Sequence, residues 1–461
     1  MFPITQIDSV IRFQSAHGVQ IRGTIVSLQR NSLVMEIYNP TAVLQISEVL
    51  TALTVRIGQK TAYQGKAVVI SLVNTGLTAV VSVTLIDEWR DLREVADNPA
   101  AVGAESRSFV HDWEQRFQIR KEYQIVVNEM RAFLSDASRW VEQIDLASHL
   151  PREGNRLRLD VFEELARPIG AKIQEYSLRL EAEAARVDEA TAPVHRQYTQ
   201  AALHPLILRA PFVFRTYTKP LGYAGDYEMV NQILSDPREG PTTYFQIVNA
   251  TFLHSAVAAA HRNRIDLLVQ FLTHQADRAR AQGRQFRVFN VGCGPAVEIQ
   301  RFIAKYEDPG VLAFTLLDFS EETIEYTRRQ ISDAARARGV DVDIDFRHHP
   351  VQDLLKRHTE PPRREFDAIY CAGLFDYLAD KVCARLLNGF AARTIPGGRI
   401  LATNVHARNP ERYSMEHMLE WYLVYRDEAK MASLMPAGHG EPEIYTDATG
   451  VNVFVEGTVS A

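Results

Sequence analysis

The stretch Val288-Phe-Asn-Val-Gly-Cys-Gly-Pro-Ala296 is an apolar run that ends in a glycine turn, and residues 297–303 continue it with a helical pattern. A second apolar run, Phe314-Thr-Leu-Leu-Asp318, ends in a carboxylate near the spacing of about 20 residues that a nucleotide-binding unit requires. A strand, a glycine turn, a helix, a strand and a terminal acid form half of such an α/β unit. The glycines allow close approach of a ligand, and the acid can accept both hydroxyls of a ribose. We therefore predict a nucleoside site at this turn.

The turn departs from the pattern that dinucleotides require. That pattern is Gly-x-Gly-x-x-Gly, and Val297 stands at the position of its third glycine. Pyrophosphate also prefers a helix N-terminus with free N–H groups, and Pro295 removes one of these donors. A sulfonium nucleoside carries no phosphate, so the turn favours a ligand of this kind over a diphosphate.

Residues 286–457 resemble the class I S-adenosylmethionine-dependent methyltransferases. The five strands of that fold match, in order, Val288–Val291, Phe314–Leu317, Asp343–Phe346, Phe366–Cys371 and Pro396–Asn404. The tail from Glu443 to Glu456 alternates in polarity around a Thr-Gly turn and is typical of a closing hairpin. The resemblance implies a Rossmann-like α/β fold with S-adenosylmethionine as cofactor.

The resemblance also implies which residues bind the cofactor. Asp318 would hold the ribose, and Val351 or Gln352 would lie beside the adenine. Asn290 stands where these enzymes usually carry an acid, and it can still hydrogen-bond the methionine amine. Arg262 or Arg264 could grip the methionine carboxylate with two hydrogen bonds, and we choose Arg262; the alternative is a surface ion pair. The predicted cofactor contacts are Arg262, Asn290, Gly292, Cys293, Gly294, Asp318, Phe319, Val351, Gln352 and Cys371.

A segment rich in tyrosine and glycine, Tyr217–Asn231, precedes the methyltransferase-like strands and is typical of a lid, although it could be an ordinary loop. Two further segments, Tyr370–Leu378 and Asn404–Asn409, would border the pocket at the carboxyl ends of the strands. An amine or hydroxyl acceptor would need a base, for which His406 or Asp226 are the candidates. The predicted catalytic residues are Tyr223, Asp226, His406 and Tyr377.

Four motifs together resemble a narrower family, the bacterial enzymes that make 3-hydroxypalmitic acid methyl ester: Gly222–Met229, His261–Arg264, Cys371–Leu378 and Trp421–Arg426. This resemblance implies a carboxyl acceptor on a small molecule or fatty-acyl chain. Two alternatives stay open. Another carbon of the sulfonium could be transferred or closed into a ring, or the chain could be a regulatory protein that senses the cofactor or a cyclic dinucleotide.

The rest of the chain predicts two more domains. Residues 1–92 contain short strands rich in branched residues, which predict a small β-barrel that resembles the PilZ domains. The closest match to the PilZ motif, Gln29–Leu33, lacks its spacing and its glycine, so the barrel would be degenerate. Residues 104–204 follow a helical period and predict a bundle, a linker region or a homodimer interface. Residues 205–461 would form the methyltransferase domain with its lid.

Composition limits the function further. The 461 residues suffice for two or three domains, and 46% hydrophobic with 23% charged residues predicts a packed globular protein. A formal net charge of −6 argues against a nucleic-acid partner. The three cysteines lack metal-ligand spacing, so we expect no metal and a reducing compartment. Without a long apolar segment we expect no membrane span and a cytoplasmic location, with a small-molecule or acyl substrate as the partner.

Overall fold

A computed structural model describes most of the chain: residues 9–15, 20–29, 31–37, 44–57, 60–74, 79–87, 103–104, 106–107, 110–111, 114, 119–147, 149–189, 191–308, 312–355, 362–436 and 440–460. It divides into two compact units. The first comprises Met1–Ala224, Asp236–Ser255 and Pro410–Tyr422, and the second comprises Gly225–Ser235, Ala256–Asn409 and Leu423–Ala461. Each unit combines segments that are distant in the sequence. The division into three consecutive domains stays a prediction.

The first unit contains a closed antiparallel barrel. Its strands are β1 (Ser9–Gln14), β2 (Gln20–Leu28), β3 (Ser32–Ile37), β4 (Val49–Ile57), β5 (Lys60–Asn74) and β6 (Ala79–Leu85), paired in the order β1-β2-β3-β6-β5-β4. Side chains alternate between buried and half-buried along β3 and β6, as a barrel with a filled interior requires. The predicted small barrel is confirmed, whereas its likeness to PilZ domains stays a prediction.

Helices make up most of the other described residues of the first unit. They span Lys121–Leu146, Leu159–Ala184, Ala192–Ile207, Pro211–Thr218, Thr243–Leu253 and Arg412–Leu419. The two-residue strands β7 (Arg152–Glu153) and β8 (Arg156–Leu157) pair between the first two helices. Tyr123, Val127, Met130 and Leu134 recur every three or four residues and bury one face of the first helix. The predicted helical period therefore corresponds to real helices over most of residues 121–207.

The second unit is built on a seven-stranded sheet. Its strands are β9 (Phe286–Val291), β10 (Leu312–Asp318), β11 (Asp343–His348), β12 (Phe366–Ala372), β13 (Thr394–Val405), β14 (Glu443–Thr446) and β15 (Asn452–Thr458). The order is β11-β10-β9-β12-β13-β15-β14. The strands β9–β13 run parallel, while β15 is antiparallel to both β13 and β14. The predicted Rossmann-like α/β fold and its closing hairpin are confirmed.

Helices alternate with the parallel strands. The second unit contains Tyr227–Leu234, Ala256–Ala281, Val297–Lys305, Glu321–Arg338, Asp380–Ala391 and Glu428–Leu434, with short 3-10 helices at Val351–Leu355 and Leu374–Tyr377. The carboxyl ends of β9, β10, β12 and β13 lie at one edge of the sheet, which is where ligands bind in open α/β folds. Across the part of the chain that is described, no helix is both long and apolar enough to cross a membrane.

Candidate functional site

The glycine turn after β9 is tied to the end of β10. The amides of Gly292 and Cys293 both donate to the carbonyl of Leu317, over 2.8 and 3.0 Å, and the amide of Ala296 donates to Cys293. Gly292 and Gly294 have φ values of +71° and +51°, which glycine adopts without strain. Because these amides bond within the protein and Pro295 has none, the turn offers few donors to a diphosphate.

Asp318 faces this turn from the end of β10. Its Oδ2 accepts a hydrogen bond from the amide of Gly294 over 3.1 Å, and its Oδ1 accepts one from Ser320 over 3.0 Å. Burial raises the pKa of this carboxyl, and the two backbone hydrogen bonds oppose that shift. Each carboxylate oxygen has a second lone pair, so Asp318 can still accept two hydroxyl groups. A Cβ built on Gly294 would meet no described atom within 4 Å, so a ligand has room beside the carboxylate.

Asn290 belongs to a buried polar cluster with a carboxylate that the sequence analysis did not single out. Its Nδ2 donates to Oε1 of Glu298 over 3.0 Å, and the hydroxyl of Tyr370 donates to the same oxygen over 2.7 Å. Burial raises the pKa of Glu298, while these donors and the charge of Arg264 lower it. A carboxyl group is therefore present beside Asn290, in the first turn of the following helix.

Arg264 carries a buried guanidinium near this cluster. The residue is 8% exposed, and its Nη1 has no hydrogen-bond partner among the described residues. A Cβ added to Gly373, just after β12, would lie only 3.2 Å from that nitrogen. Burial lowers the pKa of Arg264, and the charges of Asp376 and Glu298 oppose the shift. A guanidinium in this state can bind a carboxylate with two hydrogen bonds.

Arg262, the arginine chosen from the sequence, lies on another side of the same helix. Its Nη1 donates to the carbonyl of Ile233 over 3.2 Å, and the side chain is half-buried. Arg262 is therefore bonded to the helix Tyr227–Leu234, which begins within the predicted lid segment.

Asp376 is a further buried carboxylate at this edge. It lies in the 3-10 helix after β12, and it accepts a hydrogen bond of 2.6 Å from the amide of Val405 at the end of β13. Burial raises its pKa to about 6, against the opposing charges of Arg264 and Arg426. An acid with this pKa can hold or release a proton near neutral pH.

Both candidate bases from the sequence have partners within the second unit. Nδ1 of His406 accepts a hydrogen bond of 2.9 Å from the amide of Arg408, so its Nε2 donates to Glu428, 2.8 Å away. Oδ1 of Asp226 accepts one of 2.9 Å from the amide of Met229 and caps the helix Tyr227–Leu234. These two side chains are thus used in the fold.

The predicted lid is divided between the units, with the boundary after Ala224, so Tyr223 belongs to the first unit. In the second unit, Gly225 packs on Tyr377, whose hydroxyl lies 2.6 Å from the position of a Cβ at Gly225. The hydroxyl of Tyr227 donates to Glu322 over 2.7 Å, on the helix that follows Asp318. The second half of the lid segment thus contacts the elements after both β10 and β12.

The remaining predicted contacts lie on the same edge of the sheet. Phe319 follows Asp318, is half-buried, and its carbonyl lies 2.9 Å from Nε2 of His348. Val351 is buried in a 3-10 helix with Gln352, whose side chain lies outside the described residues. Cys293 and Cys371 are buried, and burial raises the pKa of both thiols. Within the described ranges, no group of histidine, cysteine and acidic residues is arranged to hold a metal.

Comparisons with known proteins give one family and several distant structures. Residues 288–398 match a family model described as a methyltransferase domain. A possible exported protein from Bordetella parapertussis is 14% identical, with 72% of this chain and 97% of that chain covered and a TM-score of 0.40. Magnesium protoporphyrin IX methyltransferase from Synechocystis is 11% identical, covering 54% and 98%, with a TM-score of 0.36. The N-methyltransferase NodS from Bradyrhizobium japonicum, in complex with S-adenosylhomocysteine, is 12% identical, covering 54% and 100%, with a TM-score of 0.32.

No curated protein matches the chain. The family match spans β9, the glycine turn, Asp318 and β12, which are the elements that build the site described above. The second unit therefore contains a methyltransferase domain, which makes the chain a transferase.

Proposed function

We propose that the chain transfers the methyl group of S-adenosylmethionine to a carboxylate on a small molecule or a fatty-acyl chain. The observation that carries this choice of acceptor is the engagement of His406, both of whose ring nitrogens are hydrogen-bonded within the protein. Asp226 is likewise engaged in capping a helix. A carboxylate is already ionised at neutral pH, so it is the acceptor that needs no base.

We assign the two ends of the cofactor to opposite sides of the glycine turn. Asp318 would accept the ribose hydroxyls, with the open side of Gly294 giving room for the nucleoside. Arg264 would donate to the methionine carboxylate, and Glu298 would accept from the methionine ammonium. Both side chains are buried at the strand ends. Arg264 lies close to Gly373, and Glu298 accepts a hydrogen bond from Asn290. Arg264 is preferred to Arg262 because Arg262 already donates to a backbone carbonyl.

When bound, the cofactor supplies a methyl group on a positively charged sulfur, already activated for displacement by an in-line nucleophile. The protein must orient the acceptor and exclude water, and orientation can lower the barrier by roughly 7–11 kcal/mol. The burial of Tyr377 and the packing of Gly225 on it support a water-excluding role for this segment. In this scheme Tyr377 would position the acceptor.

A second candidate is transfer to a hydroxyl or amine, with Asp376 as the base. This candidate is favoured by one observation, the pKa of Asp376, which burial raises to about 6. Substitution Asp376→Asn keeps the oxygen that accepts from Val405 and removes the base. For a carboxylate acceptor we expect turnover to persist. For a hydroxyl or amine acceptor it should fall by a factor of about 100 or more.

The reaction itself is tested by product identity. The full chain would be incubated with S-adenosylmethionine and 3-hydroxypalmitic acid, and the products identified by mass spectrometry. S-adenosylhomocysteine together with a methyl ester would support the proposal. Methylthioadenosine would show that another carbon of the sulfonium reacts, and a methyl ether would show transfer to the hydroxyl group. If no carboxyl group is methylated, either on small carboxylic acids or on fatty-acyl chains, the proposed acceptor is wrong.

A further inference from the structure

Another buried arginine lies in the first unit, outside the methyltransferase domain. Arg196, on the helix Ala192–Ile207, is only 6% exposed. Its Nε and Nη2 are both buried and have no hydrogen-bond partner among the described residues. These two nitrogens carry parallel N–H bonds on one edge of the guanidinium, the edge that matches a carboxylate or phosphate group. The charge is therefore buried with its bidentate donor edge unfilled.

Other buried hydroxyl groups lie close to this arginine. The guanidinium carbon of Arg196 is 5.6 Å from the centre of the Tyr422 ring. The hydroxyl of Tyr422 is buried, as is that of Thr84 on β6, and the two lie close enough to interact with each other. A buried donor without an acceptor costs about 1–3 kcal/mol, so the two unfilled donors of Arg196 call for an explanation.

Nearby acids do not fill the guanidinium edge. Oε1 of Glu420 accepts from Gln200 over 3.1 Å, whereas its Oε2 has no donor among the described residues. Glu416 instead pairs with Arg412 over 3.1 Å. His417 accepts from or donates to the hydroxyl of Tyr123 at 2.7 Å, and burial with the adjacent charge of Arg196 lowers its pKa to about 3. His417 is thus neutral at physiological pH and adds no charge beside Arg196.

The backbone around this place is strained. Glu420 has φ +49° and Ser47 has φ +65°, both in the left-handed region that side chains avoid. Ser47 holds the strained segment, because its hydroxyl lies 2.9 Å from the carbonyl of Tyr422 and also bonds the amide of that residue. Strain of this kind persists where the surroundings enforce it, and it clusters at binding sites.

We propose that Arg196, Tyr422 and Thr84 form a buried oxyanion site in the first unit, which takes a carboxylate or phosphate group. The edge of Arg196 would hold two oxygens, and the hydroxyls of Tyr422 and Thr84 would donate to the same group. The unpaired Oε2 of Glu420 favours an oxyanion that also carries a hydroxyl, such as hydrogen phosphate. This site is separate from the cofactor site and does not depend on the proposed acceptor.

The experiment measures thermal unfolding of the full chain in the presence of inorganic phosphate or acetate, with sodium chloride at equal ionic strength as the baseline. A ligand of the folded state raises the melting temperature in a saturable manner. We expect this rise with phosphate, with acetate or with both, and the two arms identify which oxyanion binds. In Arg196→Lys, which keeps the charge and loses the planar edge, the apparent dissociation constant should increase by about tenfold or more. Tyr422→Phe should weaken binding in the same direction.

Arg139→Gln is the matched control, because Arg139 is an exposed arginine on another helix of the same unit, paired with Asp136. It should respond to the ions as the wild type does. A cooperative unfolding transition without added ion, measured on each variant, reports whether the chain is still folded. The proposal is overturned if neither ion stabilises the wild type saturably above chloride. It is equally overturned if folded Arg196→Lys and Arg196→Gln respond as strongly as the wild type.

Discussion

The carboxylate of Asp318 and the backbone amide of Gly294 are joined by a hydrogen bond of 3.1 Å, which ties the end of one strand to the turn after its neighbour. The contact aims the acid at the glycine turn, and its second oxygen is fixed by Ser320. One carboxylate thereby orients the turn and keeps lone pairs for a ligand.

Gly294→Ala separates backbone strain from lost space for the cofactor. Gly294 has φ +51° and no described atom within 4 Å of a Cβ, so alanine meets strain of about 1–2 kcal/mol without a clash. We expect a modest loss of stability but a much larger loss of S-adenosylhomocysteine affinity, measured by titration calorimetry. Gly339→Ala is the control, because Gly339 also has positive φ and an open Cβ position at a helix end. Equal losses of affinity in both variants would contradict the assignment of the space beside Gly294.

Arg264→Gln and Arg262→Gln distinguish the two arginines of the helix Ala256–Ala281. Arg264→Gln should weaken S-adenosylhomocysteine binding roughly 10- to 100-fold, since hydrogen bonds to a charged partner contribute about 1.5–3 kcal/mol. Arg262→Gln should leave the affinity within about threefold, because its partner is the carbonyl of Ile233. Adenosine, which lacks the amino-acid end, should bind both variants and the wild type equally. A larger loss of affinity in Arg262→Gln than in Arg264→Gln would show that Arg262 binds the methionine carboxylate.

The stability of the ligand-free chain should depend on the protonation of Asp376. Burial raises its pKa from 3.8 to about 6, so the folded state holds a proton that the unfolded state has released. Its contribution to stability is therefore complete below pH 4 and is lost as the pH rises to about 6. Relative to Asp376→Asn, the wild type should lose up to about 3 kcal/mol of unfolding free energy across this window. Urea unfolding at several pH values measures this, and a pH-independent difference would show that the carboxyl titrates normally.

His406→Asn tests whether His406 is structural or a base. The side chain is buried with both nitrogens bonded, so its loss should reduce the unfolding free energy by about 1–3 kcal/mol. Cofactor affinity and turnover should stay close to those of the wild type at a temperature where the variant is folded. Arg408→Gln, at an exposed partner of the same Glu428, should cost much less. If a folded His406→Asn variant binds the cofactor but its turnover falls more than about 100-fold, His406 acts as the predicted base.

The sequence predicted the parts of the site that depend on local pattern. The places of Gly292, Gly294 and Asp318 in a strand–turn–strand unit could be predicted, because strand period, turn chemistry and the spacing to the next strand are all properties of one short stretch. Their contact with a cofactor stays a prediction. The small barrel and the closing hairpin were predictable for the same reason, since alternation and turns identify short strands.

Residues that act through distant contacts could not be found in this way. Arg262 and Arg264 are two positions apart and point about 200° from each other around the helix, so only the packing decides which one faces the strand ends. Glu298 reaches Asn290 from the next element, and Glu428 reaches His406 from 22 positions away. The placement of Pro410–Tyr422 in the first unit is likewise a long-range property that no local period reveals.

The central claim is that Asp318 anchors the ribose of the cofactor beside the glycine turn. Titration calorimetry of the full chain with S-adenosylhomocysteine tests it most directly, on the wild type, on Asp318→Asn, and on Asp333→Asn as an exposed control from the adjacent helix. We predict one saturable binding event for the wild type and the control, and an affinity lower by about 10- to 100-fold or more for Asp318→Asn. Binding of undiminished strength to a folded Asp318→Asn variant would contradict the claim.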